Sequence, residues 1–167
     1  MTYLVLDSLR DQTQDALKEQ FAFDVLMGFS APSKSLPSKY FYDAHGSRLF
    51  EQITELEEYY PTRCEFEILN KVGGEIADFI ADDPFEIVEL GAGDGRKTKV
   101  LLNQMLQTTH QFSYVPIDIS ETAMADLVSS LNLSHPSLVT HGIVGDYFAS
   151  IRHLEGISDS RKLVLLL

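Results

Sequence analysis

From Asp83 onward, short apolar runs alternate with amphipathic segments, and this alternation leaves few folds open. "FEIVEL", "FSYVPI", "SLVTHGIV" and "KLVLLL" read as strands, and "KTKVLLNQMLQ", "SETAMADLVSSL" and "DYFASIRHL" between them as helices. Leu101, Leu102 and Met105 face inward on the first helix, and Met124, Leu127, Val128 and Leu131 share one face of the second. Ser120 and Asp146 stand where N-caps belong. Strand and helix in strict alternation predict a parallel sheet of four strands with crossover helices. Buried parallel strands are near-continuous apolar runs, and "KLVLLL" is one.

Upstream, to about Ile80, the sequence reads as helices alone. "SLRDQTQDALKEQF" predicts a surface helix and "FSAPSKSLPSK" a loop. "GSRLFEQITELEE" sets Leu49, Phe50, Ile53 and Leu56 at helical spacing. In "YYPTRCEFEILNKVGGEIADFI", Phe66, Leu69, Val72, Ile76 and Ile80 form one stripe. Thr62 and Glu65 have capping-box spacing, and Gly73–Gly74 is a weak point. The chain thus divides into a helical region over 1–83 and a sheet region over 84–167. With 167 residues, 44% of them hydrophobic, it can bury the core of an ordinary soluble domain. A net charge of −12 disfavours nucleic acid as a partner. No apolar run has membrane-span length, the N-terminus lacks a signal-peptide pattern, and Cys64 is the lone thiol; together these point to a cytoplasmic setting and no membrane partner. His45, His110, His135, His141 and His153 show no metal-ligand spacing and are expected at surface or loop positions.

"IVELGAGDGRKT" closes the first of the four strands, and three ligands compete for it. A phosphate loop requires glycine before the lysine, where Arg96 stands. The dinucleotide fingerprint G-x-G-x-x-G places its third glycine at the same position, and Gly95 comes one residue early. The third ligand is S-adenosylmethionine, whose loop E/D-x-G-x-G-x-G is matched from Glu89 through Gly91 and Gly93 to Gly95. Such a loop lets backbone approach the ligand, and the helix N-terminus with Lys97 offers positive charge to its carboxylate. Asp118 after the next strand suits ribose hydroxyls, and Asp146 with Tyr147 after the third suits an adenine edge and face. Taken singly, Asp118 and Asp146 read as helix caps and Tyr147 as core; the ordered set points to a cofactor site.

The chain resembles the histidine-specific S-adenosylmethionine-dependent methyltransferases of ergothioneine biosynthesis. The likeness rests on "SLPSKYFYDAHGSRLFEQITELEEYYPTRCE", "VELGAGDGRKT", "YVPIDIS" and "VGDYF", and covers nearly the whole chain. It implies a Rossmann-like class I α/β fold, with the four strands in the order three, two, one, four, and a helical region that contributes to an amino-acid substrate site. It further implies Tyr59 as a substrate contact, Tyr42 as a second pocket residue and the catalytic candidate, and Gly91, Lys97, Asp118, Asp146 and Tyr147 as cofactor contacts. On the residues alone, Tyr59 and Tyr60 read as aromatic packing at a helix start. The "DGR" after the second glycine departs from the Ser/Thr/Glu-rich residues of the family.

The implied reaction is in-line transfer of a sulfonium methyl to the α-amine of an amino acid, most simply histidine, without a metal. The resemblance also implies further sheet and substrate-domain sequence beyond Leu167. A chain ending at "RKLVLLL" is then expected to expose an apolar strand edge, to associate as a homodimer through it, and to bind cofactor without completing catalysis. The competing readings are a non-enzymatic cofactor-binding remnant and a nicotinamide oxidoreductase, against which the misplaced third glycine counts.

Overall fold

The computed structural model describes residues 2–6, 14–80, 84–107 and 111–167. Five strands, β1 (Thr2–Val5), β2 (Phe85–Leu90), β3 (Phe112–Asp118), β4 (Val139–Val144) and β5 (Arg161–Leu165), form one sheet in the order β1-β4-β3-β2-β5. Every pairing is parallel. The four predicted strands are present in the predicted order. β1 is an addition, and it corrects the reading of the first 80 residues as helices alone. It pairs with β4 from Thr2↔His141 to Val5↔Val144, and the Leu6 N–H continues the ladder to the Val144 carbonyl at 3.0 Å.

Six helices accompany the sheet among the described residues: α1 (Gln14–Ser30), α2 (Ala44–Thr54), α3 (Tyr60–Ile80), α4 (Arg96–Met105), α5 (Glu121–Ser134) and α6 (Tyr147–Ile157). Alternate strand residues feed two layers. Phe85, Ile87 and Tyr114 face α3, α4 and α5, where Ala77, Ile80, Leu101, Leu102, Met105 and Leu127 complete a core. Val88, Val115, Ile117 and Ile143 face the opposite side and meet Leu154 of α6. The predicted stripes of α4 and α5 are fully or nearly fully buried.

The N-terminal region differs from expectation in detail. The start of its first predicted helix, through Thr13, lies outside the described residues, as does His110; α1 continues past the predicted loop start to Ser30. α3 begins at Tyr60, because Pro61 has no N–H to lose in a first turn. Thr62 therefore lies inside the helix and makes no capping box. α3 also passes Gly73–Gly74 unbroken. Gly73 lies where α3 meets α4, and a Cβ there would come within 2.1 Å of Gln104 Oε1. Gln104 Nε2 donates across that contact to the carbonyls of Leu69 and Asn70 at 3.4 and 3.2 Å. His135, expected at the surface, is 7% exposed, and its ring bonds Ser134 Oγ and Asn103 Oδ1 at 2.7 and 2.9 Å.

Candidate functional site

After Leu90 the chain turns through Gly91-Ala92-Gly93-Asp94-Gly95 into α4. Gly91, Gly93 and Gly95 take φ of 77°, 53° and 65°, a region that side chains with a Cβ disfavour. The Gly91 and Ala92 N–H groups donate to the Ile117 carbonyl at 2.8 and 3.0 Å, which lays the loop across the end of β3. Asp118 fixes the rest: Oδ2 accepts the Gly93 N–H at 2.9 Å and Oδ1 the Ser120 N–H at 2.8 Å. Its own carbonyl accepts the Gly145 N–H at 2.9 Å, tying in the end of β4. These strand ends lie beside the point where the order reverses between β2 and β5, the place where open parallel sheets form a crevice.

A cavity of about 600 Å³ opens there. One wall is the glycine loop with the ends of β3 and β4; the other is the 3-10 turn Ser38–Phe41, α2 and the start of α3. All nine residues singled out in the sequence reach it: Tyr42, Tyr59, Glu89, Gly91, Gly93, Lys97, Asp118, Asp146 and Tyr147. The helical wall is held by short-range bonds. Asp24 Oδ2 accepts the Tyr40 hydroxyl at 2.6 Å and Lys39 Nζ at 2.8 Å, anchoring the turn before Tyr42 to α1. Asp43 caps α2, accepting the N–H groups of His45 and Gly46 at 3.1 and 2.7 Å. Tyr59 meets Phe50 edge to face, with ring centres 6.0 Å apart.

The charges beneath and around the loop are unequal. Glu89 is 2% exposed, and its two oxygens accept the hydroxyls of Thr98 and Tyr114. Burial pushes its pKa from 4.5 to about 7; the two hydroxyls and Lys97 oppose the rise, and Asp118 adds to it. Glu89 thus acts beneath the loop, its carboxyl already engaged by protein groups. The Tyr147 hydroxyl lies over Gly91, 2.6 Å from where a Cβ would stand. Burial raises its pKa, and the Asp118 charge and Tyr42 raise it further. Asp146 is both a cap, accepting the Ala149 N–H at 3.0 Å, and a cavity residue, so its two sequence readings are compatible. Lys97 Nζ reaches Glu65 Oε2 at 3.1 Å, and Arg96 pairs with Asp94 and, at 3.5 Å, with Glu55.

The model of the histidine-specific, S-adenosylmethionine-dependent methyltransferases matches residues 21–167. The chain belongs to this family. A histidine N-alpha-methyltransferase of Mycolicibacterium smegmatis is 35% identical over 153 residues, 92% of this chain and 46% of that protein. One from Mycobacterium tuberculosis is 37% identical over 124 residues, 74% of this chain and 38% of that protein. A 4-dimethylallyltryptophan N-methyltransferase of Claviceps purpurea is 29% identical over 167 residues, 98% of this chain and 47% of that protein. The chain spans half or less of the length of these relatives.

The cavity suits the family's cofactor on its own geometry. An added Cβ at Gly93 meets nothing within 4 Å, so backbone is bare there. Each Asp118 oxygen accepts one backbone N–H and retains a lone pair for a further donor. The N-termini of α3, α4 and α6 converge on the opening, and their amide ends favour an anionic group. Sequence reasoning missed Thr98 and Tyr114 beneath the loop, and the partnership of Glu65 with Lys97. The last joins residues 32 apart on different helices, which no local spacing signals.

Proposed function

We propose that this chain binds S-adenosylmethionine at the glycine loop and provides the cofactor half, and part of the substrate half, of an amino-acid α-N-methyltransferase. One observation carries the reading: the residues picked from four separate sequence motifs meet on one cavity at the carboxyl ends of β2, β3 and β4. Gly91, Gly93, Lys97, Asp118, Asp146 and Tyr147 are the cofactor side, with Glu89 supporting the loop from below. Tyr42 and Tyr59, from the region before residue 84, are the substrate side; among the described residues of that region, β1 alone belongs to the sheet.

When bound, the cofactor supplies an electrophilic methyl group on sulfur. The chain's own work is positioning and electrostatics. An attacking amine must be neutral, because an ammonium has no lone pair, and the hydroxyl of Tyr42, a cavity-lining residue, would accept an N–H and orient that lone pair. Tyr59, fixed by Phe50, gives a substrate ring an aromatic wall. Histidine is the favoured substrate, supported by relatives of that name at 35% and 37% identity against 29% for the tryptophan-derivative enzyme. The isolated chain associates through β5: that strand is an edge of the sheet, and its Val164 and the following Leu166 are 56% and 73% exposed.

Calorimetric titration with S-adenosylhomocysteine tests the cofactor site. Micromolar binding, weakened at least tenfold by Asp118→Ala, is expected. No binding by a demonstrably folded chain rejects the reading.

A further inference from the structure

The glycine motif accounts for Lys97 but not for the acid that holds it. Lys97 stands in the first turn of α4 and Glu65 near the start of α3, and their side chains are 29% and 34% exposed. Both line the cavity. Each charge is thus sheltered on one side and open to the cavity on the other. Their bond uses one of the three N–H donors of the ammonium and one carboxylate oxygen, leaving capacity on both groups. The joint between the helical region and the loop does not depend on this pair alone, because Arg96 makes a parallel link to Glu55 and Gln104 bonds α3 further along.

A cation and an anion 3.1 Å apart are complementary to the zwitterion of an α-amino acid. Its carboxylate would meet Lys97 and the amide end of α4, and its ammonium would meet Glu65. A lysine alone reads only the carboxylate. We infer that Glu65 and Lys97 together form a subsite for an amino-acid zwitterion, with Glu65 reading the ammonium. The inference rests on the cofactor site proposed above. Two molecules bring this chemistry: the cofactor, through its methionine end, and the amino-acid substrate.

The chain is compared with Glu65→Gln, with Lys97→Gln, and with the exchanged variant Glu65→Lys/Lys97→Glu, each checked for folding by circular dichroism. Each is titrated with S-adenosylhomocysteine, with 5′-methylthioadenosine, which lacks the amino-acid end, and with histidine in the presence of S-adenosylhomocysteine. Each single substitution is expected to weaken S-adenosylhomocysteine about tenfold or more while leaving methylthioadenosine within about twofold. The exchanged variant keeps an interhelical ion pair, so a purely structural pair would regain affinity; a zwitterion subsite with its charges reversed stays weak. A loss confined to histidine assigns the same subsite to the substrate. Equal weakening of both nucleosides, or no weakening of S-adenosylhomocysteine or histidine, overturns the inference. Failure of the unaltered, folded chain to bind S-adenosylhomocysteine overturns the cofactor reading and the inference with it.

Discussion

Replacing Glu89 by glutamine should change how stability depends on pH. The carboxyl lies under the glycine loop at 2% exposure, and its pKa in the folded chain is about 7 against 4.5 for the free group. The folded state therefore binds a proton that the unfolded state has released across this interval, and stability falls as pH rises through it. The contribution is complete below pH 4.5 and is lost above about 7. At about 1.4 kcal/mol per pKa unit it amounts to about 3 kcal/mol. Glutamine is neutral throughout and keeps both contacts, accepting from one of the Thr98 and Tyr114 hydroxyls and donating to the other. Urea unfolding of the two proteins from pH 4.5 to 8.5 isolates the effect, because all other titrating groups are shared. The difference should be small at the acid end and grow to about 3 kcal/mol in favour of Glu89→Gln at the basic end. For a chain of this size, that is about 6–12 °C in melting temperature. A difference that stays constant with pH would refute the argument, for it would mean that Glu89 keeps an ordinary carboxylate pKa in the fold.

Gly74→Ala should stabilise the chain by about 0.5–1 kcal/mol in thermal or urea unfolding, since the position is helical and open; Gly73→Ala should gain less, because its Cβ displaces Gln104. Gly91→Ala should cost more than Gly93→Ala, because strain at positive φ is joined by the contact with the Tyr147 hydroxyl. In a Tyr147→Phe background the Gly91→Ala penalty should shrink by about 1 kcal/mol in a double-mutant cycle. Val164→Lys places a charge on the exposed side of the β5 edge strand and should shift the light-scattering mass of concentrated protein toward the monomer.

The sheet was legible where burial shapes the sequence. β2, β3 and the crossover helices declare themselves because both faces of each strand are covered, so apolar residues predominate, with Glu86 and Glu89 of β2 and Ser113 of β3 as interruptions. The glycine-loop wall of the cavity was legible for a related reason: glycines at positive φ and acids at strand ends have few substitutes. β1 was not legible. Its four residues lie on an edge and are mostly exposed, and its place is decided by β4, far along the chain. The length of α1 was hidden by Phe21, Phe23, Leu26, Met27 and Phe29, which are all exposed and form no inward stripe. At α3 a local signal misled: Thr62 and Glu65 have the spacing of a cap, but Glu65 bonds Lys97 on another helix. His135 sits in the core because Asn103 and Ser134 satisfy its ring, a partnership that spacing alone does not reveal.

The pairing of β1 with β4 sets an order on biosynthesis. Its partners lie about 140 residues downstream, so β1 leaves the ribosome with no β4 to pair with until that length of chain has followed. At ~5–20 residues per second, the wait is on the order of ten seconds or more. The β2–β3–β4 unit is made consecutively and can assemble behind it, closing the loops between its strands at lower entropic cost. Capture of the N-terminal segment is then the late event that covers the free edge of β4. Until it happens, that edge presents unpaired backbone to any neighbouring nascent chain.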